Sequence, residues 1–214
     1  NAAGVAKGTT IQLTGASNTV TAAQARQLSA IPNFGLVLGA SLVVADTAAN
    51  LLAAANLTGV ALGTQIQLTG TSNTVSVRQA VNWASDLKFG LAPGAKLVVY
   101  GTANHTSSSA TDLLANPTGV ALGTSIQLIG TGNSVTADEA AALAAKPNFA
   151  LASGAKLEVT GSATDLLSVA DAKGVAKGTT IKVTGTSNTV TATQAAALAA
   201  KPNFVVDTAN NATL

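Results

Sequence analysis

Apolar and polar residues alternate over a short stretch that recurs along the chain. Ile11 and Leu13 flank Gln12, and the pairing returns as Ile66/Leu68, Ile126/Leu128 and Ile181/Val183. Period two with β-branched residues and a following Gly predicts a short strand with one buried face. A second alternating stretch, Leu42-Val43-Val44, returns as Leu97-Val98-Val99 and Leu157-Glu158-Val159, where Glu158 marks the middle residue as the outward one. These are seven strand positions, and Val205-Val206 supplies an eighth.

Between the two strand types the pattern switches to helix. Thr21-Ala-Ala-Gln24, Ser76-Val-Arg-Gln79, Thr136-Ala-Asp-Glu139 and Thr191-Ala-Thr-Gln194 all have the capping-box form. In that form the hydroxyl accepts from an orphan helix N–H, and the Gln or Glu side chain reaches back to the cap N–H. Val20, Val75, Val135 and Val190 precede the caps as hydrophobic staples. Each helix is Ala-rich, and three close at Ile31-Pro32, Lys146-Pro147 and Lys201-Pro202. The small side chains at Ala22, Ala23, Ala25 and Ala30 suit close approach between elements. After the second strand, Asp46, Ser109 and Ser162 are placed to cap shorter helices that bury Leu51-Leu52, Leu113-Leu114 and Leu166-Leu167.

The whole pattern is a tandem repeat. Gly-Val opens a copy at Gly4, Gly59, Gly119 and Gly174, which sets the copies at 4–58, 59–118, 119–173 and a shortened 174–214. The last copy runs Pro202-Asn203-Phe204-Val205-Val206-Asp207 and reads as skipping the segment Gly35 to Leu42 of the first. Strand–helix–strand–helix in every copy predicts an α/β fold. The expected architecture is one strand–helix solenoid over 1–214, its strands stacked in a single parallel sheet. A right-handed parallel β-helix, with the capping boxes starting single turns, is the structural alternative.

Composition narrows the function. Charged residues are 9% of 214, far below the roughly 25% of a typical soluble domain, and the net charge is +2. Eleven Lys and Arg, spread singly, do not build the concentrated basic face that nucleic acid requires. No apolar run is long enough to span a membrane. Without Cys there is neither a disulfide nor a thiolate site, and without Met the chain reads as a processed protein or a fragment. So little charge opposes contact between copies weakly, which favours self-association or contact with neighbouring repeats of a longer chain.

Candidate chemistry is sparse. Asn18, Asn73, Asn133 and Asn188 recur between first strand and capping box, where an amide side chain can bond backbone of its own and the next coil. We read this ladder as structural. Asn33, Asn148 and Asn203 form a second register, each in Pro-Asn-Phe, with Phe34, Phe149 and Phe204 as anchors; Asn50, Asp112 and Asp165 form a third. His105 is the only histidine and lies among Ser107, Ser108 and Ser109 in an insertion of the second copy. A triad there would need an orienting carboxylate, so the chain is expected not to be an enzyme. Calcium is the cofactor kept open, through Asp46, Asp207 and loop carbonyls, although Asp does not occur in EF-hand or nonapeptide spacing. Asn56, Asn104 and Asn211 head glycosylation sequons.

The stretches Gly-Thr-Ser-Asn-Thr-Val-Ser-Val-Arg-Gln (70–79) and Ala-Asp-Thr-Ala-Ala-Asn-Leu-Leu (45–52) resemble Ala/Thr/Asn-rich repeats of very large bacterial extracellular proteins, adhesin-like or surface-layer-like. The resemblance implies export, an extracellular or cell-surface location and a structural or adhesive role. It brings no catalytic residues. The alternative function is a solenoid that binds carbohydrate or peptide on its exposed strand face. Gln12, Gln67, Gln127 and Lys182 would form the polar stripe there, with Thr14, Thr69 and Thr184. Trp83 and Tyr100 are the aromatic candidates for a glycan platform.

Overall fold

The computed structural model describes residues 10–102 and 109–213. Gly4, His105, Ser107, Ser108, Asn104 and the rest of the second-copy insertion lie outside the described residues. The chain forms two compact units, Asn1–Val75 with Asn82–Leu97, and Ser76–Val81 with Val98–Leu214.

In the first unit the expected strand at Ile11 is β1 (Ile11–Leu13). It is followed by β2 (Asn18–Val20), α1 (Ala22–Ser29), β3 (Phe34–Leu36) and β4 (Leu42–Asp46). Then come α2 (Ala48–Leu52), a 3-10 turn at Ala54–Asn56, α3 (Leu57–Ala61) and β5 (Gln65–Leu68). β6 (Asn73–Ser76) and α4 (Val77–Ser85) carry the chain across the boundary between units, and β7 (Phe89–Leu91) returns to the first. Pairing is parallel: β1 sets Ile11 beside Phe34 of β3, and a second sheet runs β2-β4-β5-β7.

The second unit repeats the order with β8 (Leu97–Tyr100), α5 (Ser109–Ala115), α6 (Pro117–Leu122), β9 (Ser125–Leu128), β10 (Asn133–Thr136) and α7 (Ala137–Ala144). It continues with β11 (Ala150–Leu151), β12 (Leu157–Gly161), α8 (Ala163–Leu167), α9 (Ala172–Val175), β13 (Thr180–Val183), α10 (Ala192–Ala199) and β14 (Phe204–Val206). β9 lies between β8 and β11, and a separate sheet runs β10-β12-β13-β14, again all parallel.

The architecture is mixed α/β with parallel sheets, but the strands form four sheets among the described residues, which corrects the single sheet expected from the sequence. The cause is a bend after the first strand of each copy. After the first strand the chain turns at Gly15, Gly70, Gly130 and Gly185, all at φ between 77° and 89°, a region open to glycine at no steric cost. Beyond Gly15, Gly70 and Gly130 the chain therefore enters a different sheet as β2, β6 and β10, whereas the residues after Gly185 form no strand. All eight expected strands are present, and six more accompany them: the Asn-led β2, β6 and β10, and the post-helix β3, β7 and β11.

The period-two faces bury as their pattern requires except at Ile11, Leu13 and Ile66, which are half-buried. Leu42, Val44, Leu97, Val99, Leu157, Val159, Ile126, Leu128, Ile181 and Val183 are fully buried. Full burial of such a side chain contributes about 1.5–3 kcal/mol, so these rows are a major part of the cores. Glu158 lies half-buried between Leu157 and Val159. Of the alanines expected to face inward in α1, Ala22 and Ala25 are fully buried while Ala23 and Ala30 are exposed. Of the Phe anchors, Phe149 is buried and Phe34 and Phe204 are half-buried in their strands.

Gly-Val, which opens each copy, is a packing device. A Cβ on Gly59 would lie 2.1 Å from the Arg26 amide nitrogen, and one on Gly174 would lie 2.1 Å from the Ala141 nitrogen. α3 thus meets α1, and α9 meets α7, backbone to backbone, and no side chain fits at the crossing. Gly119 approaches the Val77 carbonyl oxygen in the same way, a Cβ there falling 2.6 Å from it.

The last copy does not skip the segment 35–42. Thr213 donates its N–H to the Gly185 carbonyl, as Ser41 does to Gly15, Lys96 to Gly70 and Lys156 to Gly130. Residues 205–213 therefore fill the place of 35–41, widened by the 3-10 turn Thr208–Asn210. Asp207, whose N–H bonds the Val183 carbonyl as Val37 bonds Leu13, is the counterpart of Val37 and not of Asp46.

Candidate functional site

The most elaborate polar constellation is the asparagine ladder. In each turn, Thr-Gly-x-x-Asn in three copies and Ile129-Gly130-x-x-Asn133 in the other, the positive-φ Gly curls the chain so that two carbonyls point at the Asn amide. Asn133 Nδ2 donates toward Ile129 O at 3.0 Å, Gly130 O at 3.0 Å and Lys156 O at 2.9 Å. Its Oδ1 accepts from the Ala110 N–H at 3.1 Å, at the start of α5. One side chain joins three segments: the preceding helix start, its own turn and the following strand.

The others repeat this. Asn73 donates toward Thr69 O, Gly70 O and Lys96 O and accepts from Ala48 N–H. Asn188 donates toward Thr184 O, Gly185 O and Thr213 O and accepts from Ala163 N–H. Asn18 donates toward Thr14 O, Gly15 O and Ser41 O. Asn73 and Asn133 are buried, Asn18 and Asn188 half-buried. A carboxamide is required because it alone offers donors and an acceptor on one short, uncharged side chain.

Each capping box closes reciprocally. Gln24, Gln79 and Gln194 donate their backbone N–H to Thr21, Ser76 and Thr191 Oγ and accept the cap N–H on Oε1. Thr136 and Glu139 do the same through Glu139 Oε2, and the carboxylate adds favourable charge at a helix N-terminus. These residues lie in separate turns, so the twelve ladder and box positions form a repeated framework and not one pocket.

The shorter helices differ from the sequence expectation. Ser162 caps α8 in a box with Asp165. Asp46 does not cap α2; Thr47 stands at the N-cap without a side-chain bond. The Asp46 carboxylate instead accepts from the Ala22 N–H at 3.1 Å, from Thr47 N–H and from Asn50 Nδ2, closing the start of α1 from the next rung. Ser109 Oγ donates to Gly101 O and accepts from Ile129 N–H. Asn148 and Asn203 take left-handed backbone at φ 46° and 44° and donate to Thr124 O and Thr179 O; Asn33 is also left-handed, at φ 59°.

The carboxylates are engaged as well. Buried Asp112 accepts from Thr102 N–H and hydroxyl, from Asn116 Nδ2 and from Arg78 Nε at 3.5 Å. Asp207 accepts from Asn210 Nδ2 and pairs with Lys182 Nζ at 3.0 Å. Those partners hold its carboxyl below the usual carboxylate range, and the Asp207 carboxylate in turn raises the Lys182 ammonium. Asp46 and Asp207, the candidate calcium ligands, belong to different units and have these partners already. Among the described residues no group of three or more His, Asp and Glu is arranged to hold a metal. Among the described residues the Asp138 carboxyl is raised by the neighbouring Asp171 charge, with burial, a hydrogen bond to Asp171 and the Asp165 charge adding to the rise.

Among the described residues are shallow clefts of about 240 Å³, one beside Gln65, Gln67, Lys88 and Phe89, another beside Thr136, Asp138, Thr160 and Asp165. Of the stripe residues, Gln12 and Thr14 are exposed, and Gln67, Gln127, Lys182, Thr69 and Thr184 are half-buried. Trp83 stacks on Phe89 with ring centroids 4.5 Å apart, so one face of the indole is taken within the protein. Tyr100 is half-buried in β8. Asn56 is buried with its amide on Asn50 O, a poor glycan acceptor, whereas Asn211 is exposed.

No helix among the described residues is long and apolar enough to cross a membrane. Compared with protein-family models, with curated proteins and with solved structures, the chain matches none.

Proposed function

We propose that the chain is a non-catalytic structural or adhesive repeat module that works outside the cell or at its surface, its copies stacked as a strand–helix solenoid. The observation that supports this is the asparagine ladder. Four side chains that a binding protein would turn toward a ligand are spent on carbonyls and N–H groups of adjoining rungs. The other polar groups follow the same economy, in capping boxes and in ion pairs within the fold. Stacking of this kind needs only nearest neighbours, so copies add length without adding chemistry.

Two measurements test the proposal. Protease shaving and fractionation of cells that make the protein should place it at the surface or in the medium; retention in the cytosol would overturn the extracellular role. Small-angle scattering of chains with different numbers of copies should give a maximum dimension that grows in proportion to copy number. A compact particle of unchanged aspect ratio would overturn the solenoid.

A further inference from the structure

One residue stands at the N-cap of each short helix that carries an opening glycine: Asn56 before α3, Asn116 before α6 and Asp171 before α9. The two asparagines donate from this position. Asn56 Nδ2 bonds Asn50 O at 3.0 Å, and Asn116 Nδ2 bonds Asp112 O at 2.7 Å. Asn50 and Asp112 correspond, each directly before its Leu pair, and Asp165 is their counterpart in the third copy. Asp171 keeps the backbone of Asn56, at φ −95° and ψ −6° against φ −101° and ψ −10°. It is as deeply buried, 7% exposed against 9%. The chemistry differs. A carboxylate has no hydrogen to give, and only the protonated acid donates as the two amides do.

A second acid lies beside it. Asp138, in the first turn of α7, is hydrogen-bonded to Asp171. A hydrogen bond between two carboxyls exists only while one of them keeps a proton. The first two copies carry Ala23 and Arg78 at the Asp138 position, so neither sets two carboxyls together there. The helices also hold the two acids close. α9 meets α7 at Gly174, where a Cβ would fall 2.1 Å from the Ala141 nitrogen.

The other charged groups on the elements packed around the pair offer Asp138 no counter-ion. Glu139 of α7 and Asp165 of α8 close capping boxes, and Glu158 of β12 accepts from Ser134 Oγ. Asp112 of α5 pairs with Arg78, and Lys173 of α9 is exposed. Asp165 acts on Asp138 with the same sign as Asp171.

We infer that Asp138 and Asp171 share a proton and form an acid-dependent clasp between α7 and α9, which holds the helix crossing in acid and loosens it as the proton leaves. With the proton, one carboxyl donates to the other; without it, two charges oppose across a crossing that backbone contact keeps short. The proton belongs to the pair and to neither residue alone. The unfolded chain releases its Asp protons at about pH 3.9, whereas the folded pair keeps one to higher pH. Stability therefore falls as pH rises through the pair's own range and is highest below it, the direction in which the Asp138 carboxyl is shifted. The clasp lies within the second unit and is independent of the function proposed above.

The test is urea unfolding of the intact 214-residue chain between about pH 4 and about pH 7.5, with hydrogen exchange over residues 137–144 and 172–175 locating the effect. Asp171→Asn supplies a donor at every pH, as Asn56 and Asn116 do, and removes the repulsion. It should lower the unfolding constant at least about threefold at the upper pH and match the parent at the lower one. Asp171→Ala removes the repulsion without supplying a donor, so it should be less stable than Asp171→Asn throughout. Carboxyl-carbon NMR reads the proton directly: the Asp138 signal should titrate at lower pH in Asp171→Asn than in the parent. A parent-to-Asp171→Asn stability ratio that does not change with pH, or an Asp138 titration indifferent to Asp171, would overturn the shared proton. Equal stability of Asp171→Ala and Asp171→Asn would overturn the donor role of this position.

Discussion

Removing one rung of the asparagine ladder should cost more than removing any helix cap. Asn133 is 2% exposed, its Nδ2 has three carbonyls within 3.0 Å, and its Oδ1 holds the Ala110 N–H. The amide carries two hydrogens, so Asn133→Ala removes two good donor bonds and one acceptor bond. Each is worth about 1 kcal/mol net, and each buried partner left unpaired costs about 1–3 kcal/mol. Water entering the small polar gap would recover part of this. We therefore expect a loss of roughly 3 kcal/mol.

Asn133→Asp is the sharper perturbation, because it keeps the shape and the acceptor while turning the donor into a second oxygen facing three carbonyls. Those oxygens and the burial should raise its folded-state pKa above the unfolded value of about 3.9. A raised carboxyl pKa destabilises above the unfolded value. The penalty should be full at neutral pH and shrink as pH falls through the folded pKa, where a protonated carboxyl regains one donor. Urea unfolding followed by circular dichroism measures both variants, with hydrogen exchange over 109–116 and 129–136 reporting the local effect. An Asn133→Ala protein within about 0.5 kcal/mol of the parent, the range of ordinary surface substitutions, would refute the bridging role.

Three further outcomes are expected. Thr136→Ala removes an exposed cap and should destabilise by about 0.5–2 kcal/mol, less than Asn133→Ala in the same urea titration. Gly174→Ala should destabilise by about 1–3 kcal/mol although alanine is the better helix former by about 1 kcal/mol, because its Cβ meets backbone that cannot rotate away; a raised melting temperature would contradict the close crossing. Asp138→Asn should stabilise the protein at neutral pH and flatten the dependence above the unfolded carboxyl pKa. The raised Asp138 pKa means that repulsion from Asp171 builds as pH rises, so a variant with the parent's pH profile would show the pair to be uncoupled.

Much of the helical framework was legible in the chain. A capping box joins residues three apart, so its partners sit in one line of sequence, and Thr136 and Glu139 bond as their spacing implied. The long strands were legible because two-residue periodicity survives in four or five residues. Asn-led β2 and post-helix β3 were not, since Val20 and Phe34 carried other local explanations, as a helix staple and a turn anchor. The capping of the shorter helices was misread at Asp46 for a related reason. Its nearest backbone lies in α2, but its carboxylate also reaches the Ala22 N–H of the preceding rung.

The sequence by itself therefore determined the repeat, its helix starts and its buried strand faces, all of them consequences of interactions within one turn or one pleat. Only the tertiary structure decided that four sheets replace one, that the opening glycines mark helix crossings, and that residues 205–213 fill a segment that appeared to be missing. Each of those rests on contacts between rungs more than 20 residues apart, as with Asn133 Nδ2 and Lys156 O, separated by 23 residues. Such partners are chosen by how strands and helices distant in sequence pack, and that packing is set by backbone clearance and left-handed turns that leave only a glycine or an asparagine in the chain as their trace.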